Sequence, residues 1–341
     1  MDLNTLWFVL VGVLFTGYAM LDGFDLGVGA LLPFAKGDEE RRIFLNAIGP
    51  IWDGNEVWLV TGGGALFAAF PNVYATVFSG FYDAFMLLLV ALIFRAVAIE
   101  FRSQRQRAGW RATWDVAFSV SSLASALLIG VTLGNIVWGI PLDASHDFSG
   151  SFLSLLHPYP LLVGVTAVAL FVMHANLYLL LKTDGALQEK LARWTKLTVP
   201  AYLGCFLLLS GVTVFACPHI QAAVSQRPWI LGAIFIVAMA ITLNIQVQVR
   251  KGPGHEGRAF VSSCLSLVML MILFGASVYP NMVFSTPDVA DSLNIYNGSS
   301  TDKSLRFMAW VALIGMPIVV AYTATVYYVF RGKVTLTDRS Y

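Results

Sequence analysis

The sequence predicts an all-α polytopic membrane protein with nine transmembrane helices, and three observations predict it. Hydrophobic residues fill 57% of the 341 positions and charged residues only 12%, about half the charge of a soluble domain; mean hydropathy is +0.73. Nine apolar runs each reach roughly the 20 residues that a helix needs to cross the hydrocarbon core. Finally, 17 of the 21 lysines and arginines lie in alternate connecting segments, the asymmetry that orients a chain in a membrane. The same numbers exclude other classes. A net charge of +1 leaves no basic surplus to neutralise phosphates, so no nucleic-acid partner is expected. The apolar runs are continuous, whereas barrel strands alternate polar and apolar.

The spans are placed at residues 6–26, 51–70, 73–94, 116–137, 161–181, 198–217, 228–249, 261–279 and 307–330, in a single integral membrane domain covering 1–341. Lys36, Arg41 and Arg42 follow the first span; Arg102, Arg105, Arg107 and Arg111 follow the third. Lys182, Lys190, Arg193 and Lys196 follow the fifth, Arg250, Lys251 and Arg258 the seventh, and Arg331, Lys333 and Arg339 occupy the tail. The alternate segments hold only Arg227, Lys303 and Arg306. The N-terminus is therefore expected outside and the C-terminus in the cytoplasm. The start carries no Lys or Arg in residues 1–4 and its apolar run is too long for a cleavable signal peptide. The outer stretches 138–160 and 280–305, rich in Ser, Asp, Asn, Pro and Gly, read as irregular surface. Cys205, Cys217 and Cys264 form no Cys-x-x-Cys pair, which argues against a zinc or iron–sulfur site.

A carboxylate inside lipid costs at least about 2.5–3.5 kcal/mol, so each one needs a reason. Asp22 and Asp25 share a face of the first span, beside the small-xxx-small pair Gly23 and Gly27. They read either as a headgroup-level cluster or as part of a polar cavity or proton path. Asp53 and Glu56 open the second span with Trp52, Asn55 and Trp58. Helix capping by the dipole accounts for such acids; a functional polar group does so equally. Gly62, Gly63 and Gly64 follow. They imply a tightly packed neighbour or a local break, and they lack the Gly-Lys-Ser/Thr of a phosphate loop. Arg95 ends the third predicted span, Glu100 follows, and Asp115 begins the fourth. Arg95 either snorkels or joins these acids in an ion-pair network. Asp83, on the outer half of the third span, reads as a buried hydrogen-bonding group. The pairs Gly23/Gly27 and Gly130/Gly134 have no evident use in a lone bundle and suggest a face for a partner. His174 is the one histidine clearly within a span. It has no second axial partner, so no haem or metal is expected on this chain's own side chains, and no catalytic nucleophile constellation is present.

Several stretches closely resemble subunit II of cytochrome bd-type quinol oxidases, the group that includes the cyanide-insensitive oxidases. They are Leu21-Asp22-Gly23-Phe24-Asp25-Leu26-Gly27-Val28-Gly29, Glu40-Arg41-Arg42, Pro50-Ile51-Trp52-Asp53-Gly54-Asn55-Glu56-Val57-Trp58-Leu59, Gly62-Gly63-Gly64-Ala65-Leu66-Phe67-Ala68-Ala69 and Phe78-Ser79-Gly80-Phe81-Tyr82. Phe94-Arg95, Phe101-Arg102-Ser103, Trp114-Asp115 and Gly134-Asn135 continue the series, and Pro280 and the 310–322 region support it more weakly. The resemblance implies a bacterial cytoplasmic-membrane subunit of an enzyme that oxidises quinol and reduces dioxygen to water, in aerobic electron transport that builds a proton gradient. It implies that the haems and the quinol chemistry belong to a partner, subunit I, in a pseudo-symmetric heterodimer. Each nine-helix subunit is then two four-helix bundles plus one peripheral helix. Small single-helix subunits often accompany the pair, and some members hold a structural quinone in subunit II. The resemblance also implies that Asp53, in the Trp-Asp-Gly-Asn motif, lines a proton channel from the cytoplasm at the subunit interface. Asp25, Arg95 and Asp115 match other polar family positions, Asp22 is counted with them as a supporting polar group, and Glu56 stands where some members have Gln. Two other readings compete: a purely structural subunit of the oxidase, and an ion-coupled secondary transporter with a discontinuous second helix.

Overall fold

The computed structural model describes residues 2–337. Arg339, counted above in the cation-rich tail, lies outside the described residues. Helix α1 (Leu3–Leu31) starts at Asp2, whose side chain accepts from the Thr5 backbone N–H at 2.7 Å, and runs into a 3₁₀ turn at Leu32–Phe34. A short helix α2 (Gly37–Ile48) follows, with Asp38, Glu39 and Glu40 in its first turn, where the helix dipole favours acids. Then come α3 (Trp52–Ala69), α4 (Pro71–Gly80), α5 (Tyr82–Arg102), α6 (Ala108–Trp138), α7 (Pro158–Lys182) and α8 (Gly185–Ala216). The chain ends with α9 (Pro218–Gln226), α10 (Pro228–Arg250), α11 (Glu256–Val278), strands β1 (Asn281–Val283) and β2 (Leu293–Asn294), and α12 (Asp302–Val329). Pro71, Pro158, Pro218 and Pro228 each begin a helix, where a missing N–H costs nothing.

Among the described residues, eight helices are long and apolar enough to cross a membrane: α1, α5, α6, α7, α8, α10, α11 and α12. The chain is a multi-pass, all-α membrane protein. Helix α3 forms where the second span is predicted, as an unbroken 18-residue helix, but it is not one of these eight. The stretch 73–94, predicted as one span, is two helices. The chain turns at Phe81, with α4 ending at Gly80 and α5 beginning at Tyr82. A Cβ at Gly80 would lie 2.8 Å from Phe148 Cβ, so the loop that carries Phe148 sits directly on the turn. Asp83 then occupies the first turn of α5 and Arg102 its last, both complementing the dipole. Asp83 is exposed at a helix start rather than buried within a span, and Arg95 lies about two turns inside α5 rather than at its end.

Helix α8 is 32 residues long, about 48 Å at 1.5 Å per residue. Lys190, Arg193 and Lys196, assigned to a loop from the sequence, are thus helical. The glycine pairs serve the chain itself. A Cβ at Gly27 would lie 2.0 Å from the Phe171 carbonyl oxygen, and one at Gly134 would lie 2.6 Å from Pro160 Cα. So α1 and α6 both press their small residues against α7, which corrects the expectation that these faces await a partner. Of the two alternatives at Gly62–Gly64, a local break is not seen and a packed neighbour is seen at Gly62 alone, where a Cβ would lie 3.0 Å from the Phe15 ring; Gly63 and Gly64 would meet nothing within 4 Å in this chain.

The stretches 138–160 and 280–305 are more ordered than their composition suggests. β1 and β2 pair antiparallel and Ile140 bridges to Ser285. Ile140, Leu142, Leu155, Val283, Leu293 and Ile295 are buried with Trp7, Phe70 and Phe81, and Trp7 Nε1 donates to the Leu305 carbonyl at 2.9 Å. At the opposite end the cation-rich segments meet. Lys190 pairs with Glu40 at 2.6 Å, and Lys333 donates to the Thr183 carbonyl at 2.7 Å. α12 touches α1 and α3 but buries little beyond Leu305.

Candidate functional site: a buried acid–arginine cluster

Four helices bring polar side chains to one buried point. Asp22 and Asp25, three residues apart on α1, are 0% and 1% exposed, and Arg95 of α5 is 0% exposed. Arg95 Nη1 donates to Asp22 Oδ1 at 2.7 Å, and its Nη2 donates to Glu56 Oε1. Asn55 of α3 donates from Nδ2 to Asp25 Oδ2 at 2.7 Å and to the Leu21 carbonyl at 3.1 Å. Tyr327 of α12 donates to Asn55 Oδ1 at 3.0 Å. Asp22 Oδ2, Asp25 Oδ1, Arg95 Nε and the Tyr18 hydroxyl are buried without a hydrogen-bond partner among the described residues. Three carboxyls thus surround one guanidinium. Buried charges need pairing; Arg95 hydrogen-bonds two of the three carboxyls and its single positive charge balances one, which leaves carboxyl in excess where a proton can reside. Unpartnered acceptors beside a hydroxyl also suit a water chain.

Exposure falls along this group. Asp53, in the first turn of α3, is exposed and makes no hydrogen bond or ion pair among the described residues. Glu56, one turn on, has a side chain 27% exposed. Asp22 and Asp25 lie behind it. Trp58 roofs this region of α1, since a Cβ at Gly17 would lie 2.3 Å from its ring.

Asp115 belongs to a different network. Arg102 Nε donates to its Oδ1 at 2.5 Å and Arg41 Nη1 to its Oδ2 at 3.0 Å. Arg102 and Arg111 also pair with Asp38 at 2.8 and 2.6 Å. This set ties α2 to α5 and α6, and no hydrogen bond among the described residues joins it to Arg95. His174 is fully buried; its Nε2 donates to the Met20 carbonyl at 2.9 Å and its Nδ1 lies 2.7 Å from Ser263 Oγ. With both ring nitrogens engaged, it does not fit axial haem ligation. Among the described residues no group of three or more His, Cys, Asp or Glu is placed to hold a metal ion.

The family model for cytochrome bd terminal oxidase subunit II matches residues 3–330. The chain belongs to that family. It is 35% identical to the cytochrome bd-I ubiquinol oxidase subunit 2 of Escherichia coli K12, over 98% of this chain and 96% of that one. It is 34% identical to the cytochrome bd ubiquinol oxidase subunit 2 of Bacillus subtilis 168, over 98% and 97%. Its fold matches a chain of the bd oxidase from Geobacillus thermodenitrificans with a TM-score of 0.81 at 15% identity, covering 97% of this chain and 99% of that one. As a subunit II chain, it carries the Leu21–Gly29 and Trp52–Glu56 motifs at the centre of its buried cluster.

Sequence reasoning singled out Asp22, Asp25, Glu56 and Arg95, and the structure brings them together. Asp53 stands apart at the surface, and Asp115 pairs with Arg102 instead of Arg95. Tyr18, Tyr327 and the bridging role of Asn55 were missed. No local pattern marks Tyr327, 272 residues from its partner. Arg102 was signalled by its place at a helix end, once α5 is read as starting after Gly80.

Proposed function

We propose that this chain is the haem-free subunit of a quinol-oxidising, oxygen-reducing complex, and that it supplies a proton-entry path through Asp53, Glu56 and Asp25. Asp22 and Arg95 support it as polar neighbours, while Asp115, expected among them from the sequence, sits in the separate network with Arg102 and Arg41. In this reading α3 is the ninth span. The helices divide into α1, α3, α5 and α6, then α7, α8, α10 and α11, with α12 peripheral. The cation-rich end faces the cytoplasm of a bacterium and the N-terminus faces the periplasm. The haems, which carry the oxygen chemistry when bound, sit in subunit I, and this chain supports that partner's assembly. A structural quinone, single-helix subunits and lipid belong on the exposed apolar faces of α8, α10 and α12.

The observation that supports the proton path is the gradient of exposure. An exposed carboxyl at Asp53 meets bulk or interfacial water. Glu56 is half-buried and hydrogen-bonded to Arg95. The carboxyl in excess lies behind it. A carboxyl can accept a proton at one oxygen and release one from the other, which an amide cannot do. Asp53→Asn in the assembled complex is expected to slow oxygen consumption roughly tenfold, about 1.4 kcal/mol of barrier, with haem content preserved. Adding Glu56→Gln slows it further. Wild-type turnover and proton uptake in the double variant would leave a structural role alone. That second reading draws on one contrast: Asp53 makes no hydrogen bond or ion pair among the described residues, while Arg95 closes two ion pairs that also hold α1, α3 and α5 together.

A further inference from the structure

A cavity of about 330 Å³ opens between the cation-rich ends of α8 and α10, lined by Ala192, Arg193, Thr195, Lys196, Gln246, Val249 and Arg250. We propose that it binds the phosphate headgroup of an anionic phospholipid. Arg193 and Lys196 are three residues apart on α8 and share a face; Gln246 and Arg250 are four apart on α10 and do likewise. Gln246 Nε2 donates to the Thr195 carbonyl at 2.7 Å, which pins the two helices together beneath the cations. No carboxylate lines the cavity. Arg193, Lys196 and Arg250 make no ion pair or hydrogen bond among the described residues. By contrast, Arg41, Arg95, Arg102, Arg111 and Lys190 at other sites are each paired with an acid. Three exposed cations with no acid beside them converge on one open cavity, which makes it a favourable seat for an anion, and the cavity is within the size range of small-ligand sites.

The surroundings select a lipid over a free anion. Next to Lys196, Leu197 is 73% exposed, and along α10 from Arg250, Val247 and Leu243 are 48% and 49% exposed. A phosphate seated on the three cations would therefore have apolar helix surface running away from it, on which acyl chains lie. Basic pockets between transmembrane helices at headgroup level bind acidic lipids in this way. The inference rests on α8 and α10 spanning the membrane and is independent of the proton path.

The test uses the intact complex in detergent, stripped of lipid and titrated with phosphatidylglycerol, phosphatidylethanolamine or inorganic phosphate, with bound molecules counted by native mass spectrometry. The wild type is expected to hold phosphatidylglycerol in preference to phosphatidylethanolamine, with inorganic phosphate unable to displace it. The triple variant Arg193→Gln, Lys196→Gln, Arg250→Gln is expected to bind phosphatidylglycerol on the order of 100-fold more weakly. If the triple variant fails to assemble, Arg193→Gln alone is expected to weaken binding roughly fivefold. Equal binding by wild type and variant overturns the proposal, and so does displacement of the lipid by inorganic phosphate. Binding is read directly, so loss of oxidase turnover, which bears on the proton path, is a separate outcome.

Discussion

Arg95 bridges two carboxylates from two different helices while fully buried, and that fixes what its loss must do. Removing one member of a buried ion pair leaves a charge without a partner, at a cost of about 3–5 kcal/mol. Arg95→Gln strands both Asp22 and Glu56, so it is expected to abolish recovery of the assembled subunit. Arg95→Lys is expected to recover only part of it, because a single ammonium cannot reproduce the planar fork that reaches both acids. Asp22→Asn combined with Arg95→Gln removes opposite charges together and is expected to assemble better than Arg95→Gln alone. Complex yield and thermal midpoint measure all three, and an Arg95→Gln complex with wild-type yield and midpoint would show the pairs to be dispensable. At this scale the sequence was informative about charges and poor about neutral groups. A buried acid or arginine announces itself by its cost in lipid; Tyr18, Asn55 and Tyr327 carry a smaller one, and their roles are found only once the helices are packed.

Among the elements, α2 is held by charge as much as by packing. Phe44, Leu45 and Ile48 are buried, and Asp38, Glu40 and Arg41 clamp the polar side to α5, α6 and α8. Partial burial would raise the Asp38 carboxyl, but its hydrogen bond and attraction to Arg102, with Arg111 and Arg42 beside it, hold it below the usual carboxylate range. A depressed carboxyl stabilises the folded state above its unfolded value of about 3.9, and that contribution is lost as pH falls through the depressed value. A spin label at Glu39→Cys on the exposed side of α2 is therefore expected to stay ordered from pH 7 to about pH 4 and to loosen below that. Asp38→Asn should loosen it at neutral pH. A label equally ordered at pH 3 would mean that apolar packing alone holds α2. Element positions were legible in the sequence wherever a single apolar run was bounded by charge. Residues 73–94 failed because hydropathy cannot see a break between two apolar helices. Gly80 followed by Asp83, a helix end and an acidic first turn, was the signal available. The helical extension of α8 was missed for the opposite reason, since a polar sequence at a span's end reads as loop.

At the scale of the whole molecule, the outward stripe of α3 is the surface least explained by the chain alone. Asp53, Val57, Val60, Gly64 and Phe67 recur at helical spacing and are all exposed. A stripe that mixes a carboxylate, a glycine and apolar side chains is poorly matched to lipid, and a second subunit pressed against Gly64 would cover it. Two glycine substitutions separate the chain's own packing from that partner contact. Gly27→Leu drives a side chain into the Phe171 backbone, so α1 and α7 cannot close and the chain itself is expected to be depleted from membranes. Gly64→Leu meets nothing within 4 Å in this chain, so the subunit is expected to fold and accumulate. Its added bulk would hold a close-packed neighbour away at about 1–3 kcal/mol, roughly tenfold or more in association. Immunoblotting of the chain and the haem spectrum of what copurifies with it read the two effects separately. The expected result for Gly64→Leu is a normal chain level with copurified haem reduced at least severalfold. A full haem complement with Gly64→Leu would place the partner on another face, and the exposed sides of α5 and α12 would be the next to test.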